Sequence, residues 1–216
     1  LSQEQLSKAL FPIGQLQKAE VRQIAQENGL ITADKKDSQG LCFVGKIALP
    51  TFLQQQLAPK IGPVIEVPSD LDQFQAYQTL QPIASNIELL SKPFHFELTD
   101  GKEVTTHQGA HYYTIGQRKG LHIGGRPEPS FVIGIDTIHN IVYSGQNEQH
   151  PGLNRWALKL DENSISWVNK VQEFELKQLL PCLVRIRYRQ PLQKATLLKN
   201  DTGCYILFEN KQKGIA

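Results

Sequence analysis

The stretch Lys194 to Asn210, "KATLLKNDTGCYILFEN", decides the fold class. Two runs rich in β-branched and aromatic residues flank Asn200-Asp201-Thr202-Gly203, a turn composition, and predict a β-hairpin. Upstream, "EVTTHQGAHYYTIG", "PSFVIGIDTIHNIVYSG" and "LVRIRYRQ" carry the same texture, separated by Gly-rich turns and "DTIHN". The second half of the chain therefore reads as small β-sheets or barrels.

The first half reads differently. Ser2 with Gln5 three residues on fits a capping box, and that helix is expected to stop at Phe11-Pro12. A second helix is expected from about Lys18 to Asn28, with Val21, Ile24 and Ala25 on one face and Gly29 as its cap. "ALPTFLQQQLAPK" (48–60) looks helical again. Residues 66–98 show no clear period and read as an insertion, in which "SDLDQFQAYQTL" is a helix capped by Ser69 or Asp70. The whole is α+β: N-terminal helices, a small β-rich central domain and a C-terminal β-barrel incomplete at its end. The boundaries are 1–45, 46–146 and 147–216.

Bulk properties exclude several classes. In 216 residues, hydrophobic content of 40% and charged content of 20% are ordinary for a soluble globular chain. No apolar run approaches the ~20 residues of a membrane helix, and the N-terminus lacks a signal peptide's layout. A cytoplasmic protein without membrane contact is expected. Cysteines at 42, 182 and 204 form no C-x-x-C pair, which favours reduced thiols over a disulfide framework or structural zinc. The absence of methionine and the abrupt "NKQKGIA" end suggest an incomplete chain. Residues 181–216 hold seven Lys/Arg against two Asp/Glu, so an anionic partner belongs at the C-terminal part.

Three features carry chemistry. In "KKDSQGLCFVG" (35–45), Cys42 follows two lysines that lower a thiol's pKa, and Gly40 leaves room beside the sulfur. The same "LCFV" also fits an apolar strand with Cys42 filling space, and both readings stay open. "TIGQRKGLHIGG" (114–125) is not a phosphate-binding P-loop, because no Gly-Lys-Ser/Thr occurs. Its Arg118 and Lys119 suit phosphate contacts, and equally suit charged turns in solvent. In "LVRIRYRQP" the alternation puts Arg185, Arg187 and Arg189 on one strand face, ~6.6 Å apart, close to the phosphate repeat of a nucleic acid strand. Tyr188 falls on the other face with Val184 and Ile186, or else sits at the strand's edge and stacks on a base. The run also fits a solvated strand face paired with carboxylates, but the local sequence offers few of them, which favours the anionic partner. His107 and His111 are too far apart in a strand to share a metal, and no metal site is expected.

Together "FPIGQLQKAEVRQIAQENGL", "KKDSQGLCFVG", "GAHYYTIGQRKGLHIGG", "NIVYSGQNEQHPGL" and "RIRYRQP" resemble the tRNA-specific 2-thiouridylase family, in the family's order and over nearly the whole chain. The resemblance implies a sulfurtransferase that thiolates C2 of the tRNA wobble uridine, with ATP and Mg used by an N-terminal domain preceding Leu1. It implies that Cys42 carries a persulfide received from a cysteine desulfurase or a sulfur carrier. It implies a transient disulfide with a partner cysteine, and tRNA contact by Arg187 and Tyr188. The family's S-G-G-x-D-S loop, partner cysteine, K-D-Q-S string and terminal P-G-Q string are not in this sequence, and 66–98 is longer than usual. These residues alone are therefore expected to bind no cofactor and to be inactive. The alternative is a non-catalytic RNA-binding β-domain.

Overall fold

The computed structural model describes residues 3–35, 57–167, 178–188 and 190–215. It divides into two compact units, Leu1–Leu57 and Ala58–Ala216.

The first unit contains α1 (Gln3–Leu6) and α2 (Lys18–Glu27). Helix α1 is shorter than expected and is followed by i→i+3 bonds from Lys8 and Ala9 rather than further α-helical turns. Helix α2 starts where the Gln17 N–H donates to Glu20 Oε2 and ends where the Leu30 N–H reaches back to Ala25 O at 2.9 Å. The expected helix over 48–60 lies mostly outside the described residues.

The second unit is built on two four-stranded sheets. The first contains β1 (Gly62–Glu66), β2 (Lys102–His107), β3 (Ser130–Asp136) and β4 (Ile141–Gln146), in the order β2-β1-β4-β3. Strands β1 and β4 run parallel, Val64 opposite Val142, while the outer pairs are antiparallel. A parallel pair needs both faces covered. Accordingly, Ile65, Ile133 and Tyr143 enter one core, and Val64, Val132 and Val142 enter another with Ala110 and Leu121. Strand β1 is an addition to the sequence reading. Gly62-Pro63 reads as a helix stop, but the β-branched Val64-Ile65 run behind it pairs on both sides.

The second sheet contains β5 (Asn154–Leu160), β6 (Leu179–Val184), β7 (Gln193–Asn200) and β8 (Gly203–Lys213), all antiparallel, in the order β5-β8-β7-β6. The expected hairpin is β7–β8. Asn200 pairs with Gly203, and Asn200 Oδ1 accepts the N–H groups of Thr202 (3.0 Å) and Gly203 (3.1 Å).

Between β1 and β2 in sequence come α3 (Asp72–Thr79) and α4 (Ile87–Ser91). One turn of α3 serves both cores. Phe74 packs with the first sheet's residues, and Tyr77 packs with Ala157, Leu198 and Tyr205 of the second. Phe94 sits against both rings, 4.9 Å from Phe74 and 5.1 Å from Tyr77, edge to face. The Tyr77 hydroxyl donates to Leu90 O (3.1 Å) and accepts from Trp156 N (2.8 Å). The stretch read as an aperiodic insertion thus supplies the packing that joins the two sheets. Its helices are too short to show a period, and α3 begins after Leu71 rather than at Ser69 or Asp70.

Candidate nucleic-acid interface

The Gly-rich loop after β2 is half docked. Leu121 is buried under the first sheet, and the loop's backbone is laced to β3: Gly116 N donates to Val132 O (2.7 Å) and Val132 N to Gln117 O (2.9 Å). Thr114 N donates to Gln117 Oε1 (3.1 Å), Gln117 Nε2 to Lys119 O (2.8 Å) and the Tyr113 hydroxyl to Gly120 O (3.1 Å). Burial pushes the Tyr113 hydroxyl pKa up, so it stays a donor. At its far end Arg126 Nε meets Glu66 Oε2 at 3.0 Å, an ion pair without a hydrogen bond's alignment. With the loop held this way, Arg118 and Lys119 stand exposed at its tip.

The arginine run behaves differently from expectation. Strand β6 ends at Val184, paired with Gln193 at the start of β7. The described residues between Val184 and Gln193 therefore belong to the connection between these strands, and among them none has a ladder partner. Pro191 removes a donor, and the Gln190 N–H closes a turn on Arg187 O at 2.9 Å. Arg185 and Arg187 are not on a strand face. Arg185 is exposed in this connection, Arg189 lies outside the described residues, and Tyr188 projects with 88% of its surface exposed. Arg187 turns toward the protein instead: Nη2 donates to Ile115 O at 2.5 Å and reaches Gly214 O at 3.4 Å. That contact brings the Gly-rich loop beside the β6–β7 connection. Arg118, Lys119, Arg185, Arg187 and Tyr188 thus belong to two neighbouring loops, a grouping that strand periodicity could not show.

Cys42 lies outside the described residues. Of the other cysteines, Cys204 is buried in the second sheet and burial pushes its thiol pKa up, which suits packing rather than nucleophilic chemistry. Cys182 is half-buried on β6. His107 is buried with Nδ1 accepting from Gly109 N (2.9 Å), whereas His111 lies tilted against Tyr112 with ring centres 4.1 Å apart. Among the described residues no group of three or more His, Cys, Asp or Glu could hold a metal ion, and no helix is long and apolar enough to cross a membrane.

Residues 1–46 match a family model described as a tRNA methyl transferase HUP domain, 90–146 a tRNA methyl transferase PRC-barrel domain, and 158–216 an aminomethyltransferase beta-barrel domain. All 216 residues align, at 51% identity, with a protein of Christiangramia forsetii named tRNA-specific 2-thiouridylase MnmA, covering 55% of it. Proteins of the same name from Flavobacterium johnsoniae (46% identical, 55% covered) and Halalkalibacterium halodurans (39%, 48% covered) align over the whole chain as well. The chain spans about half the length of these curated relatives.

Proposed function

The chain belongs to the tRNA-specific 2-thiouridylase family, and from that premise we propose that the whole protein thiolates C2 of the wobble uridine in tRNA. The observation that carries this reading is the 51% identity across all 216 residues, a span that includes Cys42 and its D-S-Q-G-L-C-F-V-G string. The matched domain descriptions say methyl transferase, but the relatives that align along the entire chain are named for thiolation.

In this reading residues 1–45 carry the cysteine loop, 46–146 form the central domain, and 147–216 belong to a C-terminal barrel. Uridine activation by ATP, with Mg, falls to the remainder of the protein, because this sequence holds no S-G-G-x-D-S loop; no activation step is assigned to these residues. Cys42 receives a terminal sulfur from a cysteine desulfurase or a sulfur carrier. That sulfur attacks C2 of the activated uridine, and the C2–O bond breaks with the leaving group. A second thiol then attacks Sγ of Cys42, the sulfur on C2 departs as the thiouridine, and a disulfide remains. Cellular thiols reduce it with two electrons, which places the protein in a reducing compartment such as the cytoplasm. The exposed Arg118, Lys119 and Arg185 face phosphates, and Tyr188 offers a ring for stacking.

Cys42→Ser in the full-length protein tests the reading. Sulfur incorporation into tRNA should fall by at least a hundredfold, and label from desulfurase-treated cysteine should no longer map to this position. Normal thiolation by the serine variant would leave the second reading, an RNA-binding β-domain without chemistry of its own. The two exposed basic loops favour that second reading independently of Cys42.

A further inference from the structure

Arg187 lies where three backbones meet. Its Nη2 donates to Ile115 O at 2.5 Å in the Gly-rich loop and approaches Gly214 O at 3.4 Å just past β8. The neighbours leave it no spare room. Gly116 and Gly214 both have left-handed backbones, with φ of +82° and +71°. A Cβ on Gly116 would sit 3.3 Å from Gly214 Cα, and one on Gly214 would sit 3.0 Å from Arg187 Nη2. Each glycine is anchored on its own side: Gly116 N on Val132 O (2.7 Å) and Gly214 N on Leu153 O (2.8 Å). Each has that single anchor, and the guanidinium is the tie that joins them to the β6–β7 connection.

We infer that Arg187 is a positioning residue for RNA rather than simply one more phosphate contact. It holds the loop bearing Arg118 and Lys119 at a set distance from the turn bearing Tyr188, so that RNA meets one preformed surface instead of two loops that must be ordered on binding. An arginine suits the junction because the two N–H groups of Nη2 are held in the guanidinium plane and can serve both carbonyls, whereas a lysine ammonium is a single point of charge on a flexible stem. The inference rests on the reading of this surface as RNA-binding.

The test uses the full-length protein and unmodified tRNA. Amide hydrogen exchange across Gly116–Lys119 is measured without RNA, and tRNA affinity is measured at several salt concentrations. Exchange there should quicken at least tenfold in both Arg187→Ala and Arg187→Lys, and stay unchanged in Tyr188→Ala. The salt slope of Arg187→Ala should fall by about 1.4–1.8, as in the Arg118→Ala/Lys119→Ala double variant, since each of the two lost phosphate contacts is worth roughly 0.7–0.9. The triple variant should bind within about twofold of the double, because residues acting through one another are not additive. Unchanged exchange, rescue of binding by lysine, or a triple variant clearly weaker than the double would overturn the inference and make Arg187 a direct contact. If the double variant and Tyr188→Ala both bind tRNA normally, the surface itself has been misread, and the inference falls with it.

Discussion

Arg155 and Arg187 both donate a guanidinium N–H to a backbone carbonyl, and their surroundings make them opposites. Arg155, on β5, is 3% exposed; its Nη2 donates to Lys92 O at 2.5 Å and its guanidinium lies 5.6 Å from the Phe94 ring centre. It borders a cleft of about 490 Å³ lined by Phe94, Phe96 and Ile133. Among the described residues its Nε has no hydrogen-bond partner, and burial pushes its pKa down, opposed by the Tyr77 hydroxyl. Arg187 is exposed and touches two loops. A buried charge without a carboxylate is costly, so it persists only where packing and carbonyls surround it. An exposed one can leave at little cost to the core while taking a loop's position with it. The first arginine bears on stability and the second on placement.

The largest effect expected on stability is therefore at the buried site. Arg155→Ala should lose about 3 kcal/mol in denaturant unfolding, because it empties space beside Phe94 and strands Lys92 O. Arg155→Met keeps the volume and removes the charge, and should recover the packing share of that loss while Lys92 O stays without this donor. A methionine variant as unstable as the alanine would show that the charge itself is needed, and the contrast with Arg187 would narrow.

The exposed junction should answer next. Gly214→Ala combines a left-handed backbone with a Cβ 3.0 Å from Arg187 Nη2, and should cost about 2 kcal/mol. Gly125→Ala is the control, since its φ is +70° but nothing lies within 4 Å. It should cost only about 1 kcal/mol of backbone strain. Equal losses at the two glycines would mean that the junction is not crowded.

Titration sharpens the buried side further. His150 accepts from Gly152 N (3.2 Å) and meets Val67 O (3.2 Å); burial lowers its pKa, and the Val67 carbonyl and Glu66 only partly offset this. Burial likewise lowers His107, with His111 acting in the same direction. In the folded chain both rings take up protons only at lower pH than in the unfolded chain, where this happens near pH 6.5. The unfolded state then binds more protons, so stability is full above about pH 6.5 and falls as pH drops toward the lowered folded values. Each histidine contributes at most ~1.4 kcal/mol per pH unit in that window. Denaturant unfolding at several pH values checks this, and His150→Asn should flatten the slope. A stability that rises below pH 6 would contradict the burial of both rings.

The same contrast marks what the sequence could and could not disclose. The β7–β8 hairpin was legible because its turn residues and strand pattern are local, and so was the α+β class. The Arg185–Arg189 alternation was legible as a pattern but not as a strand, since a strand needs a partner and β7 begins only at Gln193. Strand β1 was hidden for the converse reason: Gly62-Pro63 looks like punctuation, yet β2 and β4 flank it. For the candidate site, residue types were readable, and the Arg187–Ile115 contact, 72 residues apart in sequence, was not. Gly116 and Gly214 were its only local trace.

The smallest expected change in stability, and the most informative for function, is at Tyr188. With 88% of its surface exposed, its ring packs on little of the protein. Tyr188→Ala should leave unfolding within about 0.5 kcal/mol of the parent. Its effect on tRNA should be larger, because base–aromatic stacking is worth about 1–3 kcal/mol per base, and removing a neutral ring should leave the salt slope unchanged. Tyr188→Phe keeps the π-face and should bind like the parent, whereas a hydroxyl contact would make it resemble alanine. Fluorescence anisotropy with labelled tRNA at two salt concentrations separates these cases. An exposed ring that costs neither stability nor affinity when removed would break the comparison on its functional side, since the loop that Arg187 holds would then be holding nothing for the RNA to meet.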